Sequence, residues 1–343
     1  MIAPLGVTQF ENPKVLVSEA VIIVLFLYHW FKKSITLPKS LLLPYVLIFL
    51  LTLTQLIIFL SSLSLLGNSV RLQGIFLLWL LMIFSAITSA RPLPHVPAWV
   101  YPALLLIALA ATLILPVNAA GRFVGTLGEP NASAAFLLFL WPLVRPVKSH
   151  IWSWIPVSIT FLALVFLYQS RSALIGLALQ LTFLGLKRLR LSTAKSVIVC
   201  GLLLVSSLAL PFFAPASLFE NRAAVWQAAF AAGLGHPWLG GGFGRTELLL
   251  HTAAASLHFP LQYAYVDSSH NIFLDWWVQG GLAGILLLFF LIFRSAKKFV
   301  RADARTHLIL LLGLVAALSF NPASVVGLLE FWWLLGQSPR NII

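Results

Sequence analysis

The sequence predicts an all-α protein, a polytopic transmembrane helical bundle of about 11 spans, range roughly 10–12, with one large outer-face loop carrying an amphipathic helix. Three observations predict it. Of 343 residues, 60% are hydrophobic and only 9% charged, against about 25% charged in a soluble domain. The apolar residues are gathered into runs of roughly 15 to 25, and a helix needs about 20 to cross the hydrocarbon core. The cations between the runs fall mostly on alternate connections, the pattern of the positive-inside rule. A soluble enzyme is excluded by this composition. A disordered chain is excluded too, because 26 Phe and 12 Trp would not stay solvated.

Taken in order, the runs predict spans near 15–31, 41–66, 74–90, 98–117, 133–144, 151–169, 172–186, 196–213, 271–293 and 307–320, with a shorter one at 323–336. The first, Val15 to Phe31, is followed by Lys32 and Lys33 and lacks a basic n-region and a small-residue cleavage site, so it is expected to stay as an anchor. Threading the chain back and forth leaves only Lys14, Arg71, Arg122, Arg171, Arg222 and Arg245 on one side. The other side receives Lys32, Lys33, Lys39, Arg91, Arg145, Lys148, Lys187, Arg188, Arg190, Lys195, Arg294, Lys297, Lys298, Arg301, Arg305 and Arg340. That side is therefore expected to be cytoplasmic, with the N-terminus outside and the C-terminus inside. Helices 1–8 then occupy 1–213, a long outer loop 214–270, and helices 9–11 occupy 271–343.

The net charge of +13 is read as topology, and no nucleic-acid partner is expected. A single cysteine, Cys200, forbids an intrachain disulfide. The cytoplasmic connections are too short for a nucleotide-binding fold, and no P-loop or dinucleotide glycine motif appears. Chemistry, if present, is expected on the outer face without ATP.

Several polar residues sit where a bilayer should exclude them. Arg171 lies between two spans, and the run Ser172 to Leu186 after it would be about 22 Å long against a core of roughly 30 Å. Its guanidinium is expected somewhat below the outer surface, where it would meet an anion or snorkel to headgroups. Ser217 and Glu220 have capping-box spacing ahead of Phe219, Ala223, Trp226 and Phe230 on one face, which predicts a surface helix ending at Gly233, with Arg222 in its first or second turn. Arg222 is then either a solvated flank or a phosphate ligand, since a guanidinium grips phosphate oxygens bidentately. Gly235 to Gly244 reads as a flexible aromatic turn. Asp267 or Ser268 is expected to cap the next helix, with His270 in its first turn, either as a base or as an interfacial histidine bonded to a neighbour. Asn271, Asp275 and Gln279 follow at i, i+4, i+8, a stripe that must face protein or a wet cavity. Gly280 and Gly284 have the spacing of close helix packing. His236, Glu247, His251, His258 and His270 share one loop, but there is no His-Glu-x-x-His and no Cys-His pair, so no metal site is expected. Glu330 and the Asn321-Pro322 break are read as a packed polar group and a kink.

In this order the features resemble the O-antigen ligase and polymerase family of bacterial membrane glycosyltransferases. The resemblance is carried by Glu129-Pro130-Asn131-Ala132, Ser170-Arg171-Ser172-Ala173, Arg222 with Trp226, His236-Pro237 leading into the glycine run, and His270-Asn271 followed by Gly281-x-x-Gly284. The resemblance implies a multi-pass protein of the bacterial inner (cytoplasmic) membrane with its active site on the outer, periplasmic face. It implies transfer of a glycan from an undecaprenyl diphosphate carrier to a hydroxyl acceptor, lipid A core or another envelope hydroxyl, with no cofactor and no metal. Carried over, Arg171 and Arg222 would bind the diphosphate and His270 would activate the acceptor. Asn271, Asp267, Asp275 and Arg245 are candidate supporting residues, and Gly281 and Gly284 structural glycines. Direct displacement would invert the anomeric centre. The rivals are a polymerase of the same family, whose acceptor is another lipid-linked glycan, and a transporter or flippase of lipid-linked saccharides.

Overall fold

The computed structural model describes residues 11–33, 39–90, 97, 99–115, 117–118, 121–125, 127–144, 154–213, 222–257 and 266–338. The chain there is helical, with an isolated β-bridge between Val117 and Phe123. The helices are α1 (Glu11–Phe31), α2 (Lys39–Phe59), α3 (Ser62–Leu66), α4 (Ile75–Ala90), α5 (Val100–Ile114), α6 (Pro130–Val144) and α7 (Trp154–Leu162), which runs on into a π-helical turn, Ala163–Leu167. Then come α8 (Arg171–Arg188), α9 (Thr193–Ser207), α10 (Leu210–Phe213), α11 (Arg222–Gly235), α12 (Thr246–Ser256), α13 (Ile272–Arg301), α14 (Arg305–Leu318) and α15 (Val325–Gly336). The residues of the expected capping box, Ser217, Phe219 and Glu220, lie outside the described residues, as do His258, Arg91, Arg145, Lys148 and Arg340.

Among the described residues, four segments are long and apolar enough to cross a membrane: Glu11–Phe31, Leu41–Phe59, Thr193–Phe213 and Ile272–Arg301. Six further apolar helices, Ile75–Ser89, Val100–Ile114, Pro130–Val144, Trp154–Leu167, Arg305–Leu318 and Val325–Gly336, are shorter. The hydrophobic runs are thus not uniform rods. The run expected at 41–66 breaks at Leu60, whose φ is +38°, and restarts as α3 under a Ser61 cap. The run at 151–169 ends in the π turn, and α13 passes through a break at Gly281. Irregular backbone is tolerated at membrane depth only where protein buries it or it lines a water-filled cavity.

Burial sorts the helices. In α14 every residue from His307 to Leu318 is buried, and the helix packs against α6, α8, α13 and α15. A helix apolar all round belongs in the middle of a bundle. At the periphery α1 buries only Val15 and Ile22 and exposes Leu16, Val24, Tyr28, Trp30 and Phe31, while α2 and α9 likewise turn leucines and isoleucines outward. So large an apolar surface calls for lipid, and the chain is an all-helical membrane protein. Buried polar groups inside the bundle join helices: Gln180 of α8 accepts from Trp141 Nε1 (2.7 Å) and donates to the carbonyls of Leu138 (3.1 Å) and Ile309 (3.0 Å), tying α6 and α14 together. Glu330, on α15, is buried with no hydrogen-bond partner for either carboxyl oxygen among the described residues.

The two ends of the bundle differ. At one end Lys187, Thr193, Asp303 and Arg305 meet in an open cluster, where the Thr193 hydroxyl and the Arg305 guanidinium hold the Asp303 carboxyl below the usual range. At the other end the connections bond to one another. Glu11 accepts from the N–H of Val325 (3.0 Å), opening α15, and Lys14 donates to the Leu127 carbonyl (2.8 Å). Arg71 pairs with Asp267.

Candidate active site

The site is built where five helix starts or ends face each other at this second end. Glu129 accepts from the N–H groups of Asn131 (3.1 Å) and Ala132 (2.7 Å), with Pro130 at the first helical position, where its missing N–H costs nothing. The motif Glu129-Pro130-Asn131 is therefore a helix start whose third residue is free to reach across. The Asn131 Oδ1 accepts from Arg122 Nη2 (2.9 Å) and from Ser170 Oγ (2.9 Å). Arg122 Nε also binds the Tyr168 carbonyl (2.8 Å), which fixes the chain between the π turn and α8, where Gln169 has a φ of +48°.

Ser170 and Ser172 flank Arg171 and are both buried, their hydroxyls 3.1 Å apart. Arg171 itself, the first residue of α8, is exposed. Ser172 Oγ is 2.7 Å from Asn321 Nδ2 and 3.0 Å from Asn321 Oδ1. That same Oδ1 lies 3.5 Å from Arg222 Nη2. A chain of polar contacts thus runs Arg122, Asn131, Ser170, Ser172, Asn321, Arg222. Asn321 is its hub, and the sequence reading, which took Asn321-Pro322 for a kink, missed it. The signal was available: an Asn between two apolar runs, as Asn131 and Asn271 also are.

Arg222 is not the solvated flank that its sequence position allowed; it is 7% exposed. The residues of α11 that the bundle buries are Arg222, Val225, Trp226, Ala228, Ala229, Ala232 and Gly233, which follow helical i, i+3, i+4 spacing. Phe230, expected on the same face as Trp226, points away and is 55% exposed, its ring stacked on Trp277 at 6.3 Å. The helix therefore packs on protein through α13 and α12. Trp226 explains the placement of Arg222. Its indole sits between Phe212 (6.0 Å) and Phe320 (5.9 Å), which docks α11 beside Asn321 with the arginine one turn earlier.

His270 lies in a turn before α13, with φ +59°. The cap of α13 is neither Asp267 nor Ser268 but Asn271, whose Oδ1 accepts from the N–H groups of Phe273 (2.9 Å) and Leu274 (3.3 Å). Asp267 is taken by Arg71, and Ser268 is turned to Asp275. Asp275 Oδ2 accepts from Ser268 Oγ (2.7 Å) and Oδ1 from Ser269 N (2.7 Å), while Ser268 Oγ accepts from His270 N (3.0 Å). Asp275 thus braces the backbone of the histidine turn and leaves the ring alone. The half-buried imidazole makes no hydrogen bond among the described residues. Burial, and then the positive charges of Arg222 and Arg71, push its pKa down to about 3, against an opposing pull from Asp267. His270 is therefore neutral at ordinary pH and feels the charge of Arg222.

The glycine run closes the site from the side. The break in α13 at Gly281 (φ 58°, ψ −154°) removes helical hydrogen bonds, and the turn 236–242 replaces them. Gly241 N donates to the Val278 carbonyl (2.9 Å) and Gly242 N to that of Gln279 (3.1 Å), while the carbonyls of Pro237 and Trp238 accept from Leu282 N (2.8 Å) and Ala283 N (3.1 Å). Gln55 of α2 clamps this splice, donating to the Leu239 and Gln279 carbonyls and accepting from Phe243 N (3.2 Å). The turn is held, not flexible. A Cβ on Gly281 would lie 2.5 Å from Gly240 N, and one on Gly284 3.0 Å from the Trp276 carbonyl, so the glycines are needed for backbone contact. Arg245 is placed at this splice, bonded to the Gly241 carbonyl (3.2 Å) and stacked on Phe59 at 4.3 Å, away from Asn321. Gln279 and Asp275 line a cavity of about 70 Å³ with Gln73, Phe243, Trp276 and Trp332, so the polar stripe of α13 faces protein. Of the loop's histidines and carboxylates, Glu247 is bound by Asn68 Nδ2 (2.9 Å), and among the described residues no three His, Cys, Asp or Glu are grouped to hold a metal.

Residues 156–289 match the family model described as O-antigen ligase. The matched segment contains Arg171, the arginine helix α11, the glycine splice and His270 through Gly284, so the family resemblance read from those motifs is borne out. No curated protein matches the chain.

Proposed function

We propose that this chain, which carries an O-antigen ligase segment, is a membrane glycosyltransferase that moves a glycan from an undecaprenyl diphosphate carrier to a hydroxyl acceptor on the outer face of a bacterial inner membrane. The observation that carries this reading is the meeting of Arg222 and Ser172 on one residue, Asn321, together with a neutral histidine whose pKa the Arg222 charge lowers. Family membership supports ligase- or polymerase-like transfer; donor, acceptor and mechanism are our reading of these residues.

The chemistry asks little else of the protein. A glycosyl diphosphate already has a good leaving group, so the enzyme must stabilise the departing charge and remove a proton from the incoming hydroxyl. In our reading Arg222 and Arg171 hold the diphosphate, with the buried Arg222 doing so in a low dielectric where the interaction is strongest. The acceptor oxygen attacks the anomeric carbon and gives its proton to the His270 imidazole. The bond from that carbon to the diphosphate oxygen breaks with its electron pair leaving on the diphosphate, and the configuration inverts. None of these steps calls on a metal. The outer-face assignment is supported by charge: the opposite end carries Lys187, Arg188, Arg190, Lys195, Arg294, Lys297, Arg301 and Arg305.

The test is transfer by purified protein from an undecaprenyl diphosphate-linked saccharide to a lipid A core acceptor, with a chelator present and the product's anomeric configuration read by NMR. Chelator-resistant transfer with inversion supports the reading. Transfer only to a second lipid-linked saccharide makes the protein the polymerase variant. Donor crossing liposomes without turnover on either acceptor contradicts it in favour of a transporter.

A further inference from the structure

Arg71 was placed by the sequence on the same side as Arg171 and Arg222, yet neither the motifs nor the reaction gave it a role. It sits on the connection between α3 and α4, with its side chain 17% exposed, and its Nε and Nη2 take the two carboxylate oxygens of Asp267, the second at 3.3 Å. Its third nitrogen, Nη1, lies 3.4 Å from the Ala323 carbonyl, and Gln73, two residues on, donates to that same carbonyl at 2.8 Å. Its own backbone N–H is held by Asn68 Oδ1 (2.9 Å). One guanidinium thus grips two connections at once. Asp267 begins the turn that carries His270, and Ala323 is two residues from Asn321, which contacts Arg222.

We propose that Arg71 is a positioning residue of the transfer site, which locks the His270 turn to the connection bearing Asn321 and so sets where the base stands relative to the buried arginine. The His270 turn is braced on its far side by Asp275 through Ser268 and Ser269, but those contacts tie it only to its own helix. Arg71 links it to a different element. A lysine could neutralise Asp267 but could not present two parallel N–H groups to a carboxylate and a third to a carbonyl. Because a displacement of about 1 Å at a reacting group can lower a rate by roughly 100-fold, such a tie matters to turnover and not to donor capture. This inference rests on the transferase reading for its effect on turnover, but not for its effect on the state of His270.

The experiment compares wild type, Arg71→Lys, Arg71→Gln and the double variant Arg71→Gln/Asp267→Asn. Arg71→Gln leaves a carboxylate buried without its cation and lowers Tm whatever else Arg71 does; the double variant replaces the ion pair by two facing amides and keeps the comparison valid. Three quantities are read: binding of undecaprenyl diphosphate, kcat for transfer, and the His270 imidazole titration by NMR, assigned with His270→Gln. The charged groups facing that ring are Arg222 on α11, Arg71 on the α3–α4 connection and Asp267 on its own turn. The expected result is donor binding within about threefold of wild type in all variants, kcat down about 10-fold in Arg71→Lys and about 100-fold in Arg71→Gln and the double variant, and a His270 titration that moves upward in Arg71→Gln. Unchanged kcat in the double variant, parallel loss of donor binding and kcat, or a His270 titration identical to wild type in Arg71→Gln would each overturn the proposal. If wild type transfers no glycan, the transferase reading fails by itself, and a His270 titration unchanged between wild type and Arg71→Gln, which needs no donor, would still overturn the role given to Arg71.

Discussion

His270 meets two guanidinium groups before any substrate does. With its pKa pushed down to about 3, it is neutral and able to accept a proton at neutral pH, but it is a weak base while it is buried with the charges of Arg222 and Arg71 acting on it. A bound diphosphate would neutralise Arg222 and raise the basicity of the ring when the acceptor arrives. The sign follows directly: transfer fails when His270 is protonated, so activity falls as pH drops through its pKa, and that pKa is higher in the donor complex. The acid limb of kcat is therefore expected at least about one pH unit above that of kcat/KM, since the first reports the complex and the second the free enzyme. Coincident limbs in the two profiles would count against the coupling. Stability carries the same signature. The unfolded chain protonates His270 below about 6.5, the folded chain only near 3, so folding weakens as pH falls across that window. His270→Gln should flatten the loss, which denaturation midpoints at pH 4 and pH 7 would show. Asn321→Ala removes the partner shared by Ser172 and Arg222 and is expected to destabilise by about 1–3 kcal/mol while weakening donor binding; normal binding by a well-folded variant would remove Asn321 from the site.

At the scale of elements, the arginine helix and the histidine helix are made one unit by the splice at Gly281. Four backbone hydrogen bonds between the turn 236–242 and the break in α13 do the work that helical bonds would otherwise do. Gly281→Ala places a Cβ 2.5 Å from Gly240 N and 2.7 Å from the Trp238 carbonyl carbon, at a φ that L-residues avoid. This backbone region, open essentially only to glycine, costs roughly 1–3 kcal/mol for other residues, and the clash adds to it. The expected outcome is a lowered Tm with loss of donor binding, because α11 is no longer registered against α13. Gly185→Ala and Gly201→Ala, where nothing lies within 4 Å, are the controls, neutral or stabilising by up to about 1 kcal/mol. Equal Tm shifts at all three positions, read by thermal scanning in detergent, would show that the splice has no special role.

For the molecule as a whole, hydropathy made the all-helical membrane architecture legible, because runs of apolar residues and sparse charge leave no other fold. It did not reveal the breaks at Leu60, at the π turn and at Gly281, since a run of apolar residues looks the same whether straight or kinked. Arg171, Arg222 and His270 could be singled out as candidates because charge near a bilayer needs a reason. Asn321 and Arg71 were not, because their importance comes from residues distant in sequence, as does the role of Asp275, which five-residue spacing removed from the ring but the turn brought to the backbone. The packing of α11 on protein was missed for a related reason: its buried face is built from alanines around Trp226, which periodicity alone assigns to lipid as readily as to protein.

The central claim is that one site divides its labour, with the buried arginine capturing the diphosphate and the histidine doing the proton transfer. The most direct measurement is undecaprenyl diphosphate binding alongside single-turnover glycan transfer for wild type, Arg222→Gln and His270→Gln in one detergent preparation. The account predicts that Arg222→Gln loses donor binding by 10-fold or more, about 1.4 kcal/mol or above, whereas His270→Gln binds donor like wild type and fails to transfer. Transfer by His270→Gln at the wild-type rate, or donor binding unaffected in Arg222→Gln, would contradict it.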